Sequence, residues 1–276
     1  MATNRSRSDR GAALPPRLRV LVRGASTTVN IGPTRESRAQ GTFPERLERR
    51  LRSHGIDADV TNRSRMWDIV TDVFPRWFFE LATENPDVVV LCFGTAEAQP
   101  KLLPRRFIGV LNRRQAIPPL GSVSGRIAAV ADRRLRRLIA RTCSFASHRL
   151  GMRTHRVSPR RFEAELERLI RWTRAKTRSL VLVVTIAPAS PRVERLWARL
   201  NDRYAVYDRI IEDVVARLDD AEVRIINVRK IVADLGEQTA IYDGLHFTAV
   251  AHDALASAMC DEILPWLPAL QEKEPE

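Results

Sequence analysis

Two uninterrupted apolar runs, Val88-Val89-Val90-Leu91 and Leu180-Val181-Leu182-Val183-Val184, constrain the fold more than anything else in the chain. A strand that is apolar on both faces must be covered on both, as in a parallel sheet packed between two helical layers. With their flanks these runs predict strands at Asp87–Phe93 and Ser179–Thr185. Further strands are expected at Leu18–Arg23, Ile56–Thr61 and Glu222–Val228. Helical periodicity fills the intervals at Phe43–His54, Met66–Thr83, Pro159–Thr177, Arg192–Leu218 and Thr248–Trp266. In the second of these, Trp67, Val70, Phe74, Trp77 and Phe78 recur at helical spacing and read as a core stripe. The alternation predicts an α/β fold with a central parallel five-stranded sheet.

A chain of 276 residues that is 44% apolar can bury one substantial core. We expect a single domain over residues 17–266, a disordered basic leader at 1–16 and a polar tail at 267–276. Residues 101–157 break the strand–helix rhythm and read as a cap insertion. The insertion opens on a Pro/Arg-rich loop. A helical pattern follows, with Ile127, Val130, Leu135, Leu138 and Ile139 on one face and Arg133, Arg134, Arg136, Arg137 and Arg141 on the other.

The net charge is +13, and lysine occurs only at 101, 176, 230 and 273, so the excess is arginine. Such a balance reflects either codon usage or an anionic partner. A phosphorylated substrate or an acidic carrier protein, met by the basic cap, fits the second option. A nucleic-acid partner rests on charge alone and ranks last. Three scattered cysteines (Cys92, Cys143, Cys260), no apolar run of membrane-spanning length and no secretory leader point to the reduced cytoplasm. No phosphate-binding glycine loop and no His-Glu-x-x-His is present, so no cofactor or metal is expected.

Two segments carry chemistry. Gly24-Ala25-Ser26 follows the first strand and presents a serine; Asp243-Gly244-Leu245-His246 follows the last. Both belong at the carboxyl edge of the sheet, where open α/β sheets bind ligands. A serine hydroxyl needs a base to take its proton, and a histidine does so best when a carboxylate holds its other ring nitrogen. Ser26, His246 and Asp243 supply those three types. His252 reads as a surface helix histidine.

On these residues the sequence resembles the SGNH hydrolases, also called GDSL esterases and lipases, from Leu18 to Leu264 with the insertion excluded. Gly24-Ala25-Ser26 matches the family's nucleophile block, Pro86 to Thr95 is similar to the strand entering its Gly-x-Asn-Asp block, and Asp243-x-x-His246 matches its last block. The resemblance implies a flavodoxin-like three-layer α/β/α sandwich. It implies Ser26 as nucleophile, His246 as base and Asp243 as its orienting carboxylate, with an acylated small molecule as substrate. Hydrolysis of an ester or thioester is the leading expectation. The alternatives are an acyltransferase on a small-molecule or carrier-bound intermediate, and an inactive module that binds an acidic partner. The family's oxyanion donors are the serine N–H, a second-block glycine N–H and the third-block asparagine. Here residues 61–66 contain no glycine and the asparagine position is Ala96. Gly94, Ala96, Glu97 and Arg65 are the expected oxyanion and substrate neighbours.

Overall fold

The computed structural model describes residues 17–29, 39–66, 68–99, 155–197 and 199–268. The elements in chain order are β1 (Leu18–Gly24), a 3-10 turn (Ser26–Thr28), α1 (Phe43–Ser53), β2 (Ala58–Asn62), α2 (Val70–Glu84), β3 (Val88–Cys92) and α3 (Thr95–Ala98). There follow α4 (Pro159–Lys176), β4 (Leu180–Val184), α5 (Pro191–Leu196), α6 (Leu200–Leu218), β5 (Val223–Ile226), α7 (Val228–Leu235), α8 (Glu237–Ala240), α9 (Ala249–Ile263) and a closing 3-10 turn (Leu264–Trp266). The five strands pair in the order β2-β1-β3-β4-β5, all parallel. The expected three-layer α/β/α sandwich is thus observed, and the order reverses between β1 and β3, the point where such sheets open a ligand crevice.

The apolar runs behave as their composition demands. Leu21, Val89, Leu91, Val181 and Val183 pack under α2, α4 and α6. Their alternating neighbours Val20, Val22, Val88, Val90, Leu180 and Leu182 pack against α1, α7 and α9. Both faces are closed, so each side chain of the two apolar runs leaves water and the sheet is held from two sides. The α2 stripe is corrected at one place: Val70 and Trp77 are buried, but Phe78 is 62% exposed and meets Trp172 edge-on. Trp67 lies outside the described residues.

Boundaries shift where local chemistry overrides periodicity. The expected helix over 192–218 is two helices. Ser190 caps α5 by accepting the Val193 N–H, Trp197 is extended, and Arg199 adopts a left-handed conformation (φ 57°) before α6 begins. The last strand ends at Ile226 because Asn227 turns its side chain onto the Lys230 N–H and starts α7. His252 is not on the surface: it is 1% exposed, and its Nδ1 accepts the Phe43 N–H at 3.3 Å, tying α9 to the start of α1. The leader, the tail from residue 269 and the expected cap, except residues 155–157, lie outside the described residues.

Gly24 ends β1 where that strand lies closest to β3. A Cβ there would sit 2.7 Å from Cys92 Cβ, 2.8 Å from the Cys92 carbonyl oxygen and 2.8 Å from Thr28 Cγ2. Two of those contacts belong to the paired strand, so relief requires the strands to part beneath Ser26. Gly24→Ala is expected to lower stability by about 1–3 kcal/mol. Urea unfolding compared with the parent protein checks this; an unchanged midpoint would show that the strands can yield freely.

Candidate active site

The short turn after β1 places Ser26 at the crevice. Thr28 locks that turn, its N–H (3.2 Å) and Oγ1 (2.6 Å) both donating to the Ala25 carbonyl. The 241–247 loop approaches from the far end of the chain. An Ile241–Phe247 bridge and a Tyr242 N–H bond to the His246 carbonyl pinch its ends together. Gly244 takes φ 97° at its tip, and its carbonyl accepts the Ser190 N–H at 3.0 Å, fastening the loop to the start of α5. Thr248 then caps α9. The Asp-x-x-His spacing works because one short loop is closed at both ends.

The three residues converge. His246 Nε2 lies 3.1 Å from Ser26 Oγ, and His246 Nδ1 lies 2.6 Å from Asp243 Oδ2. Asp243 Oδ1 accepts the Leu245 N–H at 3.0 Å and the His246 N–H at 2.8 Å. The carboxylate therefore has one oxygen holding the loop and the other holding the ring. With Nδ1–H donating to Asp243, Nε2 presents its lone pair to the serine hydroxyl, which is the tautomer a general base needs. Burial works to raise the Asp243 pKa, and the hydrogen bonds from the His246 ring, the His246 N–H and the Leu245 N–H outweigh it. The carboxyl is held below its ordinary range, and its contribution to the loop is present above that range and lost in acid. The Tyr242 ring stacks on the imidazole at 6.1 Å between centroids. The His246 side chain is 15% exposed and that of Asp243 39%, so water reaches the pair.

Among the expected oxyanion neighbours, Arg65 is tied by its backbone to the serine turn, while the polar groups of Gly94 and Glu97 are engaged with each other and with α2. Gly94 donates its N–H to Glu97 Oε2 at 2.7 Å, leaving nothing for an oxyanion. Ala96 is 4% exposed and has no side-chain donor. Glu97 is fully buried, its Oε1 accepting the Val70 N–H at 2.8 Å. It thereby caps α2 from another element and closes the Gly94 turn, while its own carbonyl accepts the Arg156 and Val157 N–H groups. Glu97 thus holds both the Gly94 turn and the start of α2. Arg65 is exposed, and its N–H donates to the Gly24 carbonyl at 3.3 Å. The Ser26 N–H donates to no described residue.

Burial raises the Glu97 pKa to about 7 against the bonds from Val70 and Gly94. The unfolded carboxyl titrates near 4.5, so between those values the folded chain binds the extra proton. Stability from this group is full below pH 4.5 and is lost as pH rises through 7, by roughly 3 kcal/mol. Glu97→Gln should flatten that slope. Urea midpoints of both proteins at pH 5 and pH 8 check it, and parallel slopes would remove Glu97 as the titrating group.

A feature the sequence reading missed lies just below. Arg23, one of two arginines in β1, is fully buried, with Nη1 3.2 Å from Asp68 Oδ2 and Nε 3.1 Å from Glu80 Oε2. Arg76 reaches the same Asp68 oxygen at 3.4 Å. Burial lowers the Arg23 pKa and raises that of Glu80, each opposed by its partner. The available signal was an arginine two residues after Leu21, on the same face of a mostly apolar strand. A charge there requires buried counter-ions.

No protein-family profile and no curated protein matches this sequence. Solved structures do match. TesA aligns at 18% identity with a TM-score of 0.54, covering 89% of this chain and 98% of its own. The lipase/acylhydrolase from Enterococcus faecalis aligns at 18% with a TM-score of 0.57, covering 89% and 95%. A catalytic mutant of Axe2, an acetylxylan esterase from Geobacillus stearothermophilus, aligns at 14% with a TM-score of 0.55, covering 89% and 93%. The chain has the SGNH-hydrolase fold. At such identities the likeness carries the architecture, and the chemistry rests on the side chains above. No described helix is long and apolar enough to cross a membrane.

Proposed function

We propose that the protein is a serine hydrolase that cleaves an ester or thioester through an acyl-enzyme. The observation that carries this is the linked pair of contacts from Ser26 Oγ to His246 Nε2 and from His246 Nδ1 to Asp243. Ser26 Oγ attacks the acyl carbon as His246 takes the hydroxyl proton. The carbonyl π electrons move onto oxygen, where the Ser26 N–H meets them. The tetrahedral adduct collapses, and the leaving alcohol or thiol departs with the proton His246 returns. Water repeats the sequence, His246 again acting as base, and releases the acid. Asp243 stays ionised and holds the imidazolium that forms in each half.

Two features set the expected rate and outcome. The missing side-chain donor at Ala96 predicts turnover on the order of 10²–10³ below a site that has one. Exposure of His246 and Asp243 supports water as acyl acceptor; a transferase must shield its acyl-enzyme from water. The neighbours are described as a lipase/acylhydrolase and an acetylxylan esterase, which supports ester cleavage here too. The test is pre-steady-state hydrolysis of a 4-nitrophenyl acyl series. A burst of about one nitrophenol per chain, followed by slower turnover, is expected. Linear release without a burst at any chain length, together with no trapped acyl-enzyme on acid quench, would set the acyl-enzyme aside.

A further inference from the structure

A groove of about 490 Å³ runs beside the end of β2 and along α2, a volume typical of sites for small ligands. Its walls include Asn62, Arg63, Ser64, Arg65, Phe79 and Glu80. The wall from 62 to 65 is bonded to the serine turn. The Arg63 N–H donates to the Val22 carbonyl at 3.0 Å, the Arg65 N–H to the Gly24 carbonyl, and Asn62 Nδ2 to the Thr28 carbonyl at 3.1 Å. Two of those acceptors bracket Ser26. Asn62 Oδ1 also accepts the Ser64 N–H at 3.1 Å, which fixes the wall's backbone.

The groove's charges do not cancel evenly. Arg63 Nε donates to Glu84 at 2.9 Å, and that pair is spent on itself. Glu80 turns inward to the buried Arg23, and Arg76 turns to Asp68 and the Asp72 carbonyl. The Arg65 guanidinium makes no hydrogen bond or ion pair with a described residue, and its charge reaches Glu80 only through space. Ser64 Oγ is buried and unpaired among the described residues. Phe79, 72% exposed, offers an aromatic face from α2. The groove therefore contains one uncompensated cation, one unsatisfied hydroxyl and one apolar face, beside the turn that carries the nucleophile.

The geometry points to this groove as the subsite for the substrate's leaving group, one with an aromatic or apolar body and a carboxylate or phosphate that Arg65 and Ser64 receive. A guanidinium fork matches either anion in two-point contact. The assignment deepens the Ser26 reading and rests on it. It differs from recognition by the cap, since every residue named here lies on β1, β2, α2 or the short segments that follow β1 and β2.

Binding and turnover are tested apart. Ser26→Ala protein is titrated by ligand-observed NMR at low ionic strength with 4-acetoxybenzoate, 4-acetoxyphenyl phosphate and methyl 4-acetoxybenzoate. Acyl group and ring are constant, and charge alone varies. At least one anion should bind about tenfold more tightly than the neutral ester. Adding Arg65→Ala should bring the ratio to about one, whereas Arg209→Ala on α6 should leave it unchanged. That control removes the general pull of a basic protein on anions. No preference for either anion, or a preference that survives Arg65→Ala, overturns the assignment. If the preference is present and Arg65-dependent but wild-type protein turns over none of the three esters, the groove stands as an anion site and the Ser26 chemistry falls.

Discussion

Ser26→Ala is expected to lower the hydrolysis of an activated ester by at least about 10⁴-fold, because it removes the hydroxyl that His246 Nε2 faces. The fold should be unaffected. Ser26 is partly exposed, and the turn is locked by Thr28 rather than by the serine side chain. Removing a hydroxyl at such a position changes stability by under about 1 kcal/mol. The check is kcat/KM for wild type and variant, with thermal unfolding measured on the same samples. A variant that keeps its melting temperature and its activity would take Ser26 out of the mechanism. Equal losses in both would mean that the turn itself had failed.

Asp243→Asn should cost nearly as much, on the order of 10⁴-fold in kcat near neutral pH, for a different reason. The asparagine oxygen can still accept the Leu245 and His246 N–H groups, so the loop should persist. Its NH₂ would then face His246 Nδ1 and donate to it. The ring proton moves to Nε2 and points at Ser26, which leaves the serine without a base. Asp243→Ala should show the contrast. It frees the tautomer but removes both loop bonds, so it should lose stability as well as rate. Comparing the two variants in kcat and in urea midpoint separates tautomer control from loop support. An Asp243→Asn protein with near-normal kcat would show that the tautomer is not set by residue 243.

The sequence showed the sheet and the Asp243–His246 loop for the same physical reason: each is a local signal. Continuous apolar runs announce doubly covered strands, and Asp243 and His246 sit close enough in sequence to share one loop. Arg23 with Asp68 and Glu80 was not legible, because its partners arrive on other elements and only packing reveals them. The contacts of Glu97 were hidden for a related reason. Its place after β3 put it among the expected substrate neighbours, and only the packing of α2 brings the Val70 N–H onto it. His252 followed the same pattern, turned inward by the start of α1. The helix over 192–218 failed differently: its periodicity was real, but the left-handed Arg199 interrupts it.

The central claim is that Ser26 is the group His246 activates. A fluorophosphonate reacts with an activated serine hydroxyl and leaves an adduct whose mass and position can be read by peptide mapping. Treated at neutral pH, the wild-type protein should carry one phosphonyl group per chain on the peptide containing Ser26. Labelling should be blocked by prior ester substrate and slowed by orders of magnitude in Asp243→Asn. Labelling elsewhere, or a folded wild-type protein that stays unlabelled under conditions that saturate a control serine hydrolase, would contradict the account.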